Sequence, residues 1–325
     1  MTPEAYDEDV QKIELVQTHI SFVFLAGDYV YKVKKPVNFG FLDFTTLEKR
    51  KFFCDRELVL NRRLAGDMYL EVVPINRSNT QIKIKGEGET IEYAVKMRRI
   101  KDDTMMSLLL ERNQVNQEVI NKLAKIIAEF HSKADTGASI NKFGSLEIVK
   151  FNWDENFDQT RDFVGRTVTP NQFELIHQNI KKFLKENQSL FKKRIEQDRI
   201  RDCHGDLYSG NIFLADRIYI FDCIEFNERF RYSDVTADVA FLVMDLDFKE
   251  HRDLSKYFIE RYIEYSQDRD LMTLLPFYKC YRAYVRGKVI GFKLDDPNVG
   301  AQEKDQAKQE ARAYFELALE YATEL

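Results

Sequence analysis

The chain has 325 residues, 44% of them hydrophobic, so it can bury a sizeable core and is not a disordered segment. A formal net charge of -5 argues against nucleic acid as the main partner. Cys54, Cys203, Cys223 and Cys280 form no CxxC pair, which excludes a disulfide scaffold and points to reduced, buried thiols.

In chain order, the opening MTPEAYDEDV is acidic and lacks the apolar core of a signal peptide. No apolar run reaches membrane-spanning length, so a soluble cytoplasmic protein is expected. "FVFLAGDYVYKVKKP" places two β-rich runs around Ala26-Gly27-Asp28, which is a hairpin signal. In its second run Val30, Lys32 and Lys34 share one face, Tyr31, Val33 and Lys35 the other, and Pro36 ends it. Thr45 to Leu64 has apolar residues at roughly helical spacing and is followed by Gly66. "QIKIKGEGETIEYAVKMRRI" reads as two strands split at Gly86-Glu87-Gly88.

After Ile100 the texture becomes helical. Val119, Ile120, Leu123, Ile126, Ile127 and Phe130 mark a periodic helix. Thr169-Pro170-Asn171-Gln172 is a capping box with proline at the first helical position, opening a helix to about Leu184. A charged amphipathic helix is expected around Gln302 to Thr323. The expectation is an α+β chain, with a small β-rich region over residues 1–100 and a larger, mainly helical one over 101–325.

The stretch "HGDLYSGNIFLADRIYIFD", His204 to Asp222, carries the chemistry. Asn211 to Asp222 reads as two short apolar runs around Ala215-Asp216-Arg217. As a hairpin, its ends would meet, setting Asn211 beside Asp222 with Asp206 just before them. Such an oxygen-rich cluster suits Mg²⁺ rather than zinc. The spacing from His204 through Asp206 and Leu207 to Asn211 fits H-x-D-L-x-x-x-N, the catalytic loop of kinase-type phosphotransferases. That chemistry also needs a strand lysine paired with a glutamate on the next helix. Lys32 and Glu57 are available; Lys32 is preferred to Lys34 because it lies farther inside its strand.

Together with "FDCIEFNERFRYSDVTADVAFLVMDL" and "YRAYVRGKV", these stretches resemble the aminoglycoside phosphotransferase and choline kinase group, and more closely a bacterial branch of it. The resemblance implies a protein kinase-like fold of two lobes and an ATP- and Mg²⁺-dependent enzyme. Its product would be a phosphorylated hydroxyl of a small molecule. Asp206 would be the catalytic base or orienting carboxylate, and Asn211 and Asp222 would hold Mg²⁺. Lys32 would grip the α/β-phosphates, with Glu57 orienting it. The strand end at Val95, Met97 and Arg98 would meet adenine. His204 and Asp238 would brace the loop.

Asp222 is followed by Cys223-Ile224 rather than Phe-Gly, and no Ala-Pro-Glu follows. The regulated segment of protein kinases is therefore missing, and a protein substrate is disfavoured. There is no Walker-type P-loop. The resemblance implies an acceptor pocket between the catalytic loop and the C-terminal helices. On a helix Arg282 and Arg286 would share a face and could clasp a carboxylate or phosphate of the acceptor. Alternatively they pair with acids such as Asp245 or Glu225. Glu225 and Arg229 are further candidates for shaping the pocket. Competing readings are a nucleotide-binding regulatory module with little catalysis and an atypical Ser/Thr protein kinase. Neither nucleic acid nor membrane is expected as a partner.

Overall fold

The computed structural model describes residues 2–6, 10–79 and 81–325; Met1, Asp7, Glu8 and Asp9 of the acidic opening, and Thr80, lie outside them. The architecture is α+β. It divides into two compact units, Met1–Leu109 with Gly210–Arg231, and Leu110–Ser209 with Tyr232–Leu325.

The first unit is built on strands β1 (Ile13–Gln17), β2 (Ser21–Ala26) and β3 (Tyr29–Lys34), helix α1 (Leu47–Ala65), and strands β4 (Tyr69–Ser78), β5 (Gln81–Ile84) and β6 (Glu89–Arg98). The strands form one antiparallel sheet in the order β1-β2-β3-β6-β4-β5. Ala26 pairs with Tyr29, so Gly27-Asp28 is a two-residue turn; Gly27 has φ +59°, which glycine adopts without penalty. The expected alternation along β3 holds. Tyr31 and Val33 enter one apolar cluster with Val73, Ile75 and Ala94. Val30 enters another, with Cys54 of α1, Val95 and Met97.

Thr46 caps α1, its hydroxyl accepting from the Lys49 amide. Two strands were not evident in the sequence. Strand β1 is mostly exposed and shows no buried face. Strand β4 contains Pro74 and two register shifts against β6, which blur its alternation.

Helix α2 (Met106–Glu111) crosses the border between units. The second unit then runs through α3 (Gln117–Lys133), α4 (Ala138–Asn141), α5 (Leu146–Thr160), α6 (Pro170–Glu186), α7 (Gln188–Glu196) and strand β7 (Ile200–Asp202). The capping box on α6 is reciprocal: the Gln172 amide donates to the Thr169 hydroxyl (3.2 Å), and the Thr169 amide to the Gln172 side chain (2.9 Å). Strands β8 (Ile212–Leu214) and β9 (Ile218–Ile220) and the single turn α8 (Glu228–Arg231) belong to the first unit. Strand β10 (Tyr232–Asp234), which pairs with β7, returns the chain to the second. Helices α9 (Val235–Phe248), α10 (Arg252–Ser266), α11 (Leu271–Gly291) and α12 (Ala301–Thr323) complete it. Helix α9 is buried from Val235 to Asp247 and forms the unit's centre. All four cysteines are free and buried. No helix among the described residues is long and apolar enough to cross a membrane.

Candidate active site

Strand β3 and helix α1 bring the strand lysines and Glu57 together in the first unit. Lys32 Nζ lies 2.9 Å from Glu57 Oε1 and 2.6 Å from Asp222 Oδ1. Lys34, two residues on and so on the same face, donates to Glu57 Oε2 at 2.7 Å and also to Glu225. Glu57 is fully buried. Burial alone would raise its pKa, but Lys32 and Lys34 outweigh that and hold it down at about 2. Burial likewise opposes the charge on Lys32, yet Asp222 and Glu57 keep it protonated with a pKa well above the usual lysine value. Glu225 goes the other way: burial raises its pKa and Lys34 offsets only part of that.

The Asn211–Asp222 segment is the expected hairpin. Ile212 pairs with Ile220, and the Phe221 amide donates to the Asn211 carbonyl (3.0 Å). Asn211 and Asp222 therefore stand at the same end of it. Asp222 has φ +62°, a left-handed conformation that aspartate tolerates better than most residues. Its amide donates to the Tyr69 hydroxyl at 3.3 Å, and the Cys223 amide to the Asn61 side chain at 2.9 Å. Asn61 is one helical turn beyond Glu57 and donates back to its carbonyl.

Of the strand-end residues, Val95 and Met97 are buried in the apolar cluster that also contains Val30, Phe213 and Tyr219. Val23, Leu25, Met105 and Phe221 pack against that cluster while only partly buried. Arg98 donates through its guanidinium to the Tyr219 hydroxyl and to Asp67. Its amide donates to Met68, and that of Arg99 to Asp28.

In the second unit the catalytic-loop stretch is held by buried carboxylates. Asp238, in the first turn of α9, accepts from the His204 amide (2.6 Å) and the Gly205 amide (2.8 Å). Gly205 has φ +86°, a conformation costly for other residues, so the turn between His204 and Asp206 needs glycine. His131 Nε2 lies 3.3 Å from Asp238, and its other ring nitrogen meets the Tyr262 hydroxyl. Burial opposes the Asp238 charge, but the His131 hydrogen bond and nearby cationic groups bring its pKa down to about 2. Asp245, on the same helix, accepts from the Ser209 amide at 2.9 Å. Arg282 on α11 donates to the carbonyls of Gly205 (3.0 Å) and Ala237 (2.9 Å). The loop containing Asp206 is thus fixed by α9 and α11 through its own backbone.

The remaining candidates are dispersed. Arg286, half-buried on α11, lies over the rings of Tyr208 (5.1 Å) and Tyr314 (5.6 Å). Burial opposes its charge, which Tyr314, Tyr208 and Asp206 stabilise. Glu225 is buried against Lys34, in the first unit. Arg229 lies over the Phe230 ring in the same unit. The Lys34–Glu225 pair, Tyr69 and Asn61 had no signal in the linear sequence beyond the shared face of Lys32 and Lys34.

Asn211 and Asp222 offer hard oxygens, and the Asp222 side chain is 44% exposed, which fits a Mg²⁺ ion that keeps several waters. His131, Cys203 and Asp238 also bring ligand atoms within 4.8 Å of one another. That buried trio does not fit a metal. Asp238 is occupied by loop amides, and burial raises the Cys203 pKa far from the thiolate a metal needs.

A strand lysine paired with a helix glutamate, and an H-x-D-L-x-x-x-N loop followed by a hairpin ending in aspartate, define a kinase-like phosphotransferase fold. The chain belongs to the APH phosphotransferase enzyme family, whose profile its residues 84–275 match. It is 34% identical over 292 residues to an uncharacterized protein of Mycobacterium tuberculosis, a match covering 89% of this chain and 57% of that one. The chain thus spans little more than half the length of that relative. Its fold is similar to that of a choline/ethanolamine kinase family protein from Mesorhizobium loti (TM-score 0.52, 13% identity, 97% of this chain and 93% of that one). A candidate aminoglycoside phosphotransferase from Ralstonia eutropha is comparable (TM-score 0.53, 12% identity, 99% and 95%). The fold is that of the aminoglycoside phosphotransferases and choline kinases.

Proposed function

We propose that this protein transfers the γ-phosphoryl group of ATP to a hydroxyl of a small molecule in a Mg²⁺-dependent reaction. The observation that carries the reading is Lys32, ion-paired both to Glu57 of α1 and to Asp222 at the hairpin end. Lys32 binds the α/β-phosphates and Glu57 orients it. The partly buried apolar residues Val23, Leu25, Met105 and Phe221, with Val95 and Met97 beneath, offer a surface for the base. The Arg98 and Arg99 amides are already engaged, so at this strand end adenine would meet carbonyls rather than those two amides. Asn211 and Asp222 would hold Mg²⁺, which would supply charge neutralisation for the transferring phosphate. Asp206 orients the acceptor hydroxyl and takes its proton as the new O–P bond forms, while the bond from the γ-phosphorus to the β–γ bridging oxygen breaks and ADP leaves. Transfer is in-line, without a covalent enzyme intermediate.

The acceptor is proposed to be acidic or phosphorylated. Arg286, electrostatically coupled to Asp206, is the side chain that would address its anionic group. Arg282 is assigned to bracing the loop. Four free, buried thiols fit a reducing compartment, and we place the protein in the cytoplasm.

Incubating the purified protein with Mg-ATP and a panel of metabolites, and following ATP consumption, tests the reading. The wild type should phosphorylate an anionic hydroxyl compound. Asp206→Ala should lose about 10²- to 10⁴-fold in kcat while still binding Mg-ATP. Binding of Mg-ATP with no turnover of any acceptor would favour a regulatory module. Autophosphorylation that requires Asp206 would favour a protein kinase.

A further inference from the structure

The first unit contains an unbroken chain of alternating charges: Asp222, Lys32, Glu57, Lys34, Glu225. Its two ends lie on one four-residue segment. Its middle joins β3 to α1. The outer half differs sharply from the inner half. Lys34 and Glu225 are 1% and 4% exposed, whereas the Asp222 side chain is 44% exposed. Lys34 also lies over the Phe44 ring, 4.9 Å from its centre.

Lys32 cannot serve phosphates and neutralise Asp222 in the same way at once. When it turns to a nucleotide, Asp222 loses its cation just as it must present oxygens to a metal. Something else has to keep the segment in place. We propose that Lys34 and Glu225 are positioning residues. They form the permanent anchor that holds the 222–225 segment and Glu57 while Lys32 exchanges Asp222 for the nucleotide. This inference rests on the reading that Lys32 and Asp222 serve Mg-ATP.

The geometry supports a division of labour. Each oxygen of Glu57 faces a different lysine, so Glu57 keeps a buried cation when Lys32 moves. Backbone anchors reinforce the segment between the two acids. The Cys223 amide donates to Asn61, and Arg231 donates to the Ile224 carbonyl at 2.8 Å. None of these contacts uses Asp222's carboxylate. A buried, hydrogen-bonded pair is well suited to an anchor, because removing one partner leaves an uncompensated charge.

The test separates positioning from stability. Single replacements strand a buried charge and can unfold the protein. The double variant Lys34→Met/Glu225→Met removes both charges, and such a replacement is often neutral or stabilising. Its melting temperature serves as the folding control. Mg-ATP binding is then measured by calorimetry on wild type, Lys32→Ala and the double variant. Amide exchange at residues 222–225 is followed without nucleotide.

The expected result is a folded double variant with about 10- to 100-fold weaker Mg²⁺-dependent ATP binding and faster exchange at 222–225. A double variant that binds Mg-ATP within twofold of wild type, or exchanges no faster, overturns the anchor. An unfolded double variant does too, since the pair would then serve stability itself. Wild type that binds no Mg-ATP, or a Lys32→Ala variant that binds as well as wild type, overturns the nucleotide reading and the anchor with it.

Discussion

The candidate site residues are held by different physics in the two units. In the first, charges face charges: Lys32 and Lys34 alternate with Asp222, Glu57 and Glu225, and side chain meets side chain. In the second, carboxylates face amides. Asp238 and Asp245 accept from the backbone of His204, Gly205 and Ser209, while Arg282 donates to its carbonyls. A charge network can rearrange when a charged ligand arrives, because its partners are interchangeable ions. A backbone cradle cannot, since each amide has one acceptor and one direction. Under the proposed function, the first arrangement would suit binding and releasing phosphates and metal, and the second would suit holding Asp206 at a constant angle to an incoming hydroxyl.

Substitutions in each unit put that contrast to the test. The largest effect is expected from pairing Asp206→Ala with Lys32→Ala. Asp206→Ala should leave the Mg-ATP dissociation constant within about threefold of wild type while removing most of kcat. Lys32→Ala should weaken Mg-ATP binding by about tenfold or more. Calorimetry alongside steady-state kinetics would show it, and identical profiles for the two variants would erase the distinction.

Next comes the cradle. Asp238→Asn turns one oxygen into a donor facing an amide, and should lower stability by about 2–3 kcal/mol. Its pH dependence has a definite sign. Asp238 sits at about 2 when folded and near 3.8 when unfolded, so the wild-type advantage is full above pH 4. It should fade as pH falls from 4 through 2. Urea midpoints measured across that range should converge for the two proteins; parallel curves would deny the carboxylate its role. The smallest effect concerns the acceptor. Arg286→Ala should raise the acceptor KM by about tenfold with Mg-ATP binding unchanged. An unchanged acceptor KM would remove Arg286 from substrate recognition.

Legibility followed distance along the chain. The β2–β3 turn at Gly27-Asp28, the capping box at Thr169 and the β8–β9 hairpin were readable because their determinants lie within a few residues. Strand β1 was not, since an exposed edge strand shows no buried face, and Pro74 concealed β4. Among candidate site residues, Lys32 and Glu57 could be found by asking what a kinase-type fold requires. The partners of Arg282 could not. Its spacing with Arg286 suggested a clasp for an anion, but only packing reveals that its guanidinium faces the carbonyls of Gly205 and Ala237.

By itself, then, the sequence determined the α+β class, the helical periods, the motif from His204 to Asp222 and the residue types able to transfer a phosphoryl group. These depend on local spacing, where backbone geometry and side-chain chemistry leave few alternatives. Tertiary structure alone decided which ions share which partners. Lys32 and Lys34 lie two residues apart on one face, and the pattern separates them only by their distance from the strand end. One ends beside the half-exposed Asp222, the other sealed against Glu225. The reason is desolvation: a buried charge must find its counter-charge wherever the fold delivers one, and that delivery spans 191 positions of chain between Lys34 and Glu225.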